Sequence, residues 1–161
     1  MLKPAILYKD KLIELFSKEI YTKEYYFYSG YPYYHELPTI EIQDNVFQWA
    51  VIDDTQSDDE ILGYFAYRID PHTDNVSNFG LYSFKRGSVK FGIEVFRKME
   101  ELIKNHHRIE WRMVEGNKVK RFYDKLVKRY NGYCVYLEDC SKNLEGAYCG
   151  EYIYEIVNRE V

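Results

Sequence analysis

The 161-residue sequence is poor in cysteine, glycine and proline, and each of these shortages argues against a class of protein. Its three cysteines, Cys134, Cys140 and Cys149, are odd in number and lack C-x-x-C spacing, so they indicate neither a disulfide framework nor a zinc site. Nine glycines and four prolines are too few for a collagen-like or low-complexity chain. There is no basic arm, and a net charge of −4 argues against bulk electrostatic binding to nucleic acid.

A long hydrophobic run is also missing. No window approaches the roughly 18 apolar residues of a membrane span. Charged residues interrupt the first twenty positions, where a signal peptide needs an apolar core, so we expect a cytoplasmic protein without a membrane partner. The motifs G-x-x-x-x-G-K-[ST], G-x-S-x-G and H-E-x-x-H are absent, which argues against a nucleotide hydrolase, an esterase or a metalloprotease. No metal site is expected.

The composition that remains is typical of a globular domain. Hydrophobic residues make up 46% of the chain and charged residues 30%, so we expect one domain over residues 1–161 that buries a sizeable core. Apolar periodicity predicts an α+β fold in the order helix, three strands, helix, strand, helix, two strands. The helices are expected at about 9–24, 88–105 and 118–132, the last with Gly132 at its C-cap.

Tyrosine is the unusual component, with 18 of 161 residues. Many of these tyrosines lie in residues 21–38, which predicts a half-buried loop lining a pocket or an interface. An ordinary surface loop is the alternative. In the third predicted strand, Gly80 indicates a bulge or a close approach of the backbone.

The segment KRGSVKFG joins that strand to the most strongly predicted helix. A helix start presents unpaired N–H groups and the positive end of the helix dipole, so it is suited to an anion. Lys85, Arg86 and Lys90 add positive charge, and Gly87 and Gly92 allow a ligand to come close. A turn with solvated basic residues is the alternative.

The stretches NFGLYSFKRGSVKFGIEVFRKMEELI and IEWRMVEGNKVKRFYDKLVKRYNG resemble the GNAT superfamily of acyl-CoA-dependent N-acetyltransferases, and the resemblance covers about residues 48–157. In that family a bulged strand leads into a loop of the form Q/R-x-x-G-x-G/A, whose amides hold the cofactor pyrophosphate. Here Val89 and Phe91 stand at the two glycine positions, and a one-residue insertion brings Gly92 to the second. The resemblance implies a single GNAT-like domain, a mostly antiparallel mixed sheet flanked by helices, and acetyl-CoA as acyl donor.

The resemblance also implies site residues. The carbonyl oxygen would meet the backbone N–H of Leu81 or Tyr82, and Tyr123 would protonate the leaving thiolate. Tyr123 follows Asn117 by six residues where seven is usual, so Phe122 or Tyr123 faces the sulfur; the alternative for Tyr123 is a core aromatic. The implied cofactor contacts are Leu81, Tyr82, Ser83, Lys85, Arg86, Gly87, Ser88, Lys90, Gly92, Ile93 and Asn117.

The residues that would bind and deprotonate the acceptor amine are less well defined than those on the cofactor. Glu110 and Glu115 are candidate catalytic bases, each with the alternative of an ordinary surface carboxylate. The candidates for binding the acceptor amine are Tyr31, Tyr33, Tyr34 and His35.

Two functions stay open. The first is an N-acetyltransferase in which an amine attacks the thioester directly. The second is a catalytically inactive GNAT-like binding or assembly module that uses the tyrosine-rich segment. The expected partners are a coenzyme A thioester and an amine, and a homodimer through the C-terminal strands is an option.

Overall fold

A computed structural model describes residues 1–29, 35–55 and 58–161. One seven-stranded sheet has the order β1-β2-β3-β4-β5-β7-β6, and all neighbouring strands are antiparallel except β4 and β5. The strands are β1 Leu2–Pro4, β2 Val46–Asp53, β3 Glu60–Asp70, β4 Asn75–Ser83, β5 Arg108–Val114, β6 Tyr133–Lys142 and β7 Tyr148–Val157. The helices are α1 Lys9–Glu19, α2 Lys23–Ser29, α3 Val89–Asn105 and α4 Lys120–Arg129, with a 3₁₀ turn at Ala5–Tyr8. The predicted α+β class is confirmed.

Two apolar clusters cover the opposite faces of the sheet. The larger cluster joins α3 and α4 to one face through residues such as Met99, Trp111 and Leu126. The smaller cluster packs α1 and α2 on the other face, around Phe16 and Tyr64. Because both faces are covered, the sheet forms the middle layer and its strand edges are the places where a ligand can reach backbone groups.

Helix α3 follows the predicted boundaries closely. Ser88 is its N-cap, and the Ser88 Oγ accepts a hydrogen bond from the N–H of Phe91 at 3.2 Å. Val95, Met99 and Leu102 recur at intervals of three to four residues and are buried against the sheet. This helix is the crossover between the parallel neighbours β4 and β5.

Strands β4 and β5 touch only at one end. Their parallel pairing is limited to Asn75 with Arg108 and Val76 with Ile109. Beyond that point the register of β4 against β3 shifts, and Asn78 has a positive φ of 54°. The bulge therefore lies next to Gly80 rather than at it, and the two strands diverge into a V-shaped opening.

The tyrosine-rich segment differs from the prediction. Helix α1 ends at Glu19, earlier than expected, and part of the predicted loop is the short helix α2. Tyr25 and Tyr26, on that helix, are only 1% and 4% exposed. The rings of Tyr25 and Tyr28 pack against Phe16 of α1, with centroids 6.0 and 5.7 Å apart, so apolar burial fixes this segment as a helix.

The end of helix α4 also differs from the prediction. The helix stops at Arg129, and Asn131 rather than Gly132 takes the left-handed conformation, with φ 52°. The N–H of Gly132 then donates to the carbonyl oxygen of Val127 at 2.8 Å. Gly132 is needed for a different reason, because a Cβ there would lie 2.8 Å from Ile156 Cγ1 and would overlap the carbonyl oxygen of Glu155.

We expect the buried tyrosines to make the fold sensitive to alkali. Burial raises the pKa of Tyr25 and of Tyr64 to about 12, above the ordinary value of about 10. A raised pKa in the folded state means that their stabilising contribution is full below about pH 10 and is lost as the pH rises towards about 12. Tyrosinate absorbance during an alkaline titration should show an early group and a late group of residues. Tyr64→Phe should reduce the absorbance change of the late group. Tyr21→Phe, at a position that is 76% exposed, should reduce that of the early group. A reduction of the early group alone in both variants would contradict the raised pKa of Tyr64.

Gly63 should be intolerant of a side chain. A Cβ at this position would lie 2.5 Å from the carbonyl oxygen of Tyr82 and would overlap the ring of Phe91. Gly63→Ala should therefore destabilise the fold by about 1–3 kcal/mol in urea unfolding. The matched change Gly92→Ala, in helix α3 with nothing within 4 Å of the new Cβ, should stabilise it by about 0.5–1 kcal/mol. Equal stabilities for the two variants would refute this packing.

Candidate functional site

The opening between β4 and β5 forms a cleft of about 560 Å³. Its inner wall is apolar, with Leu81 of β4, Met99 of α3 and Met113 of β5. Its mouth carries charged residues from α2 and from the two loops, including Arg86 and Lys118. The cleft therefore suits a long ligand with an apolar part inside and an anionic part at the mouth.

The edge of β4 supplies backbone donors to this cleft. The N–H of Phe84 donates to the carbonyl oxygen of Leu62 at 2.9 Å, which makes these residues a hydrogen-bonded pair of β3 and β4. Since such pairs alternate along antiparallel strands, Tyr82 bonds to β3, whereas the N–H groups of Leu81 and Ser83 point away from it into the opening. Of the two predicted oxygen donors, this register favours Leu81.

The start of helix α3 presents further N–H groups. Gly87 has a φ of 71°, a left-handed conformation that favours glycine, and it turns the chain into the helix. Ser88 engages the N–H of Phe91 through its Oγ and the N–H of Gly92 through its carbonyl oxygen. Within the parts of the chain that the structure describes, the N–H groups of Val89 and Lys90 have no such partner, so they are available to an anion.

The three cations of this loop point in different directions. Lys85 Nζ lies 3.1 Å from a Glu60 carboxylate oxygen. Lys90 Nζ lies 2.5 Å from Asp53, and this hydrogen bond holds the pKa of the Asp53 carboxyl well below its usual range. Arg86 is the one of the three that lines the cleft.

Arg86 forms an ion pair across the mouth of the cleft. Its guanidinium lies 2.8 Å from a carboxylate oxygen of Glu24, on α2. Both side chains are largely exposed, at 69% and 46%, so the pair is weak and can be exchanged for another anion.

The start of helix α3 places three consecutive residues, Phe91, Gly92 and Ile93, in different surroundings. Phe91, at a glycine position of the implied loop pattern, is 9% exposed and lines the cleft. Gly92 faces open space, and Ile93 is 45% exposed, outside the cleft lining. The first turn of α3 therefore offers backbone N–H groups beside an aromatic wall instead of a glycine surface.

Tyr123 enters the cleft from α4. Its ring lies edge-on to Trp111 and Tyr154, with centroids 5.4 and 5.5 Å away. Burial raises the pKa of its phenol well above the usual value. No residue among those the structure describes hydrogen-bonds its hydroxyl. Phe122 also lines the cleft but packs edge-on against Phe96 at 5.9 Å, so Tyr123 carries the only polar group of the two.

Asn117 lines the cleft and shapes the start of α4. Its Oδ1 accepts a hydrogen bond from the N–H of Val119 at 3.1 Å, and its carbonyl oxygen accepts one from Lys120 at 3.3 Å. Tyr123 follows Val119 by four residues, about one turn of helix α4, and so lies further along the cleft wall.

A second cavity of about 720 Å³ opens on the α2 face of the same gap. Glu110 lines it and forms an ion pair with Arg108 at 2.9 Å. Asn78, at the β4 bulge, lines it as well. The two cavities share the side chains of Phe27, Tyr28, Phe79, Trp111, Arg112 and Met113 as a common wall.

The other base candidate has a different place. The Glu115 carboxylate accepts hydrogen bonds from the N–H of Gly150 at 3.0 Å and from the hydroxyl of Tyr136 at 3.2 Å. It lines neither cavity and holds the end of β5 against the C-terminal strands.

Of the predicted acceptor residues, Tyr31, Tyr33 and Tyr34 lie outside the described residues. His35 Nδ1 donates to the carbonyl oxygen of Ile20 at 2.9 Å, and its ring lies against Tyr21 at 4.8 Å.

Tyr28 lines both cavities and is not among the site residues predicted from the sequence. A Cβ on Gly80 would lie 3.2 Å from the Tyr28 hydroxyl, so Gly80 admits this ring against β4. The glycine signal was present, but its partner is 52 positions away in sequence and no local pattern identifies it.

The residues that the structure describes are 1–29, 35–55 and 58–161. They contain no group of three or more His, Cys, Asp or Glu side chains that could hold a metal ion. None of their helices is long and apolar enough to cross a membrane.

The fold is similar to that of solved N-acetyltransferases. A GCN5-related N-acetyltransferase from Kribbella flavida matches with a TM-score of 0.68 and 16% identity, over 98% of this chain and 97% of the other. An N-acetyltransferase from Staphylococcus aureus Mu50 matches with 0.65 and 13%, over 98% and 97%. A ribosomal-protein-alanine N-acetyltransferase from Brucella melitensis matches with 0.64 and 11%, over 98% and 99%.

These similarities show that the chain has the GNAT fold, as the sequence predicted. In two other acetyltransferase structures the match spans 58% and 65% of their length, less than two thirds. No family model matches the sequence, and no curated protein gives a significant match.

We expect Glu24 to compete with an anion for Arg86. Glu24→Gln should raise the affinity for inorganic pyrophosphate by up to about fivefold, the upper end of what an exposed ion pair of about 0.2–1 kcal/mol allows. Glu14→Gln, which breaks the exposed pair with Lys18 on α1, is the matched control and should leave it unchanged. Isothermal titration measures both, and equal affinities in the two variants would exclude the competition.

Proposed function

We propose that this chain is an N-acetyltransferase that moves an acetyl group from acetyl-CoA to an amine by direct attack. The observation that carries the proposal is the arrangement across the cleft. Leu81, whose N–H points away from β3, lies on one wall, and Tyr123, whose hydroxyl has no hydrogen-bond partner among the described residues, lies on the other; a second cavity adjoins the same gap. Direct transfer needs a hydrogen-bond donor to the carbonyl oxygen, a proton donor for the leaving group and room for the nucleophile.

The residues present fit the elongated, anionic acyl donor. Acetyl-CoA supplies an acetyl group activated as a thioester. The N–H groups of Val89 and Lys90, with the Arg86 guanidinium, would hold its phosphates. The N–H of Ser83 would bind an amide of its pantetheine arm along the β4 edge, in place of a missing neighbouring strand.

The backbone N–H of Leu81 would stabilise the carbonyl oxygen of the acetyl group during the transfer. This N–H is fixed by the β4 backbone and so needs no reorganisation when negative charge develops on the carbonyl oxygen. Because the cleft is apolar at this depth, a hydrogen bond there is stronger than in water.

Tyr123 has the task of proton donor. In the transfer the N–C bond would form and the C–S bond would break. The amine would pass its proton to a base such as Glu110, the phenol would protonate the leaving thiolate, and solvent would return a proton to the phenolate. A phenol with its ordinary pKa of about 10 is already protonated at neutral pH, as a general acid requires, and the upward shift of the pKa on burial keeps it so. The aromatic rings around it fix its direction.

The acceptor would enter through the second cavity, where Glu110 remains a candidate for removing the amine proton. Glu115 stays a weaker candidate, since Gly150 and Tyr136 engage its carboxylate outside both cavities. The proposal includes a cytoplasmic location.

Isothermal titration with acetyl-CoA and with coenzyme A tests the proposal against the alternative of a binding or assembly module. Phe91 in the first turn of α3 is the observation in favour of that alternative, because it narrows the approach to the loop. Micromolar binding of both ligands is expected for the enzyme. The absence of heat at millimolar ligand would overturn it and would direct the search to protein partners.

Tyr123→Phe should slow acetyl transfer by about 10²–10⁴-fold, with little change in cofactor affinity, because only proton donation is removed. Tyr130→Phe is the matched control. Tyr130 directly follows the same helix as its C-cap, its hydroxyl donates to Glu100 at 2.7 Å, and it is outside the cleft lining. Thiol release in a coupled assay measures the rate, and full activity in Tyr123→Phe would remove the proposed acid.

A further inference from the structure

Glu151 stands out among the charged side chains that the structure describes. It lies on β7 opposite Val114 of β5, it is only 8% exposed, and no other charged residue in the described ranges is buried. A carboxylate loses most of its hydration on burial, so it requires a compensating partner.

The protein supplies little compensation to Glu151. Its nearest cation is Arg112, whose guanidinium lies 3.8 Å from the carboxylate, beyond hydrogen-bond distance and itself 61% exposed. None of the described residues donates a hydrogen bond to Glu151. Glu155, four positions further along β7 on the same face, is different, because Arg108 donates a direct hydrogen bond to it.

The Glu151 carboxylate borders the second cavity instead. Phe27 of α2 and Ile153 of β7 line the same space, together with the Glu110–Arg108 pair. The cavity thus combines an underpaired anion with apolar and aromatic walls. A ligand with a cationic nitrogen and a hydrophobic group matches both features.

We propose that Glu151 binds the ammonium group of the acceptor, and that the acceptor is a cationic amine with an apolar or aromatic substituent. The term acceptor rests on the proposed acetyl transfer, whereas the cation site itself does not. The step is one of binding: the carboxylate meets the ammonium form, which predominates at neutral pH, and deprotonation belongs to the later chemical step. Glu151 is therefore a binding residue that determines specificity.

An underpaired buried charge also leaves a signature in stability. Glu151→Gln keeps the shape and removes the charge, so the variant should melt higher by roughly 2–5 °C in the absence of ligand. A structural ion pair with Arg112 predicts the reverse, with Glu151→Gln and Arg112→Gln both melting lower.

Methyl NMR of the ligand-free protein tests the site directly. The probe is 2-phenylethylamine, with 2-phenylethanol as the neutral analogue and phenylacetate as the anionic one. The amine should shift the methyl signals of Ile153 and Val114 with at least about tenfold higher affinity than either analogue, as a charge-assisted hydrogen bond allows. Glu151→Gln should abolish that preference. Glu138→Gln, the same change at an exposed position of β6, should keep it.

Equal affinity for the three probes, an unchanged preference in Glu151→Gln or a lower melting temperature of that variant would each overturn the inference. Coenzyme A titration of the same samples separates the two proposals. Cation selectivity without coenzyme A binding would end the acetyltransferase proposal and leave an ammonium site. Coenzyme A binding without cation selectivity would end only the inference about Glu151.

Discussion

The short contact between β4 and β5 is the constraint on which the site depends. Two parallel pairings, at Asn75 and Val76, hold the halves of the sheet together. Beyond them each strand has a free edge, and its N–H and C=O groups must find other partners because unpaired buried groups are costly. The bulge at Asn78 and the crossover through α3 fix this separation. The cleft is thus a consequence of sheet geometry, and the N–H groups of Leu81 and Ser83 lie on a strand, which holds them more rigidly than a loop would.

Aromatic packing determines which ligands can use the opening. Helix α2 is held by Phe16 and Tyr25 in the smaller core, and it places Phe27 and Tyr28 between the two cavities. On the other side Trp111 stacks on Tyr154, with ring planes 8° apart and centroids at 5.3 Å. The high tyrosine content is therefore structural on this helix and in the cleft walls, where each ring gives area to the core and can direct its hydroxyl elsewhere.

The sequence predicted those features that depend on local pattern. Helix α3 has a capping serine and a clear apolar repeat, so its bounds and the glycine-containing turn before it could be predicted. Helix α2 could not, because its apolar residues are the four consecutive aromatics at 25–28, which show no helical periodicity. The direction of Lys90 towards Asp53, and the burial of Glu151 opposite Val114, follow from contacts between distant segments. Local pattern and the family resemblance thus predicted the fold and the turn before α3, while the lining of the second cavity required tertiary structure.

The wall shared by the two cavities has an energetic consequence. Under the proposed function, a compound could join a coenzyme A portion to an amine portion across Trp111 and Arg112. Once its first portion was bound, the second would bind from within the same molecule. The effective concentration of that second portion is set by the length of the linker, so its affinity would exceed that of either portion alone without any new interaction. The narrow gap between β4 and β5 thus fixes the geometry such a linker must have.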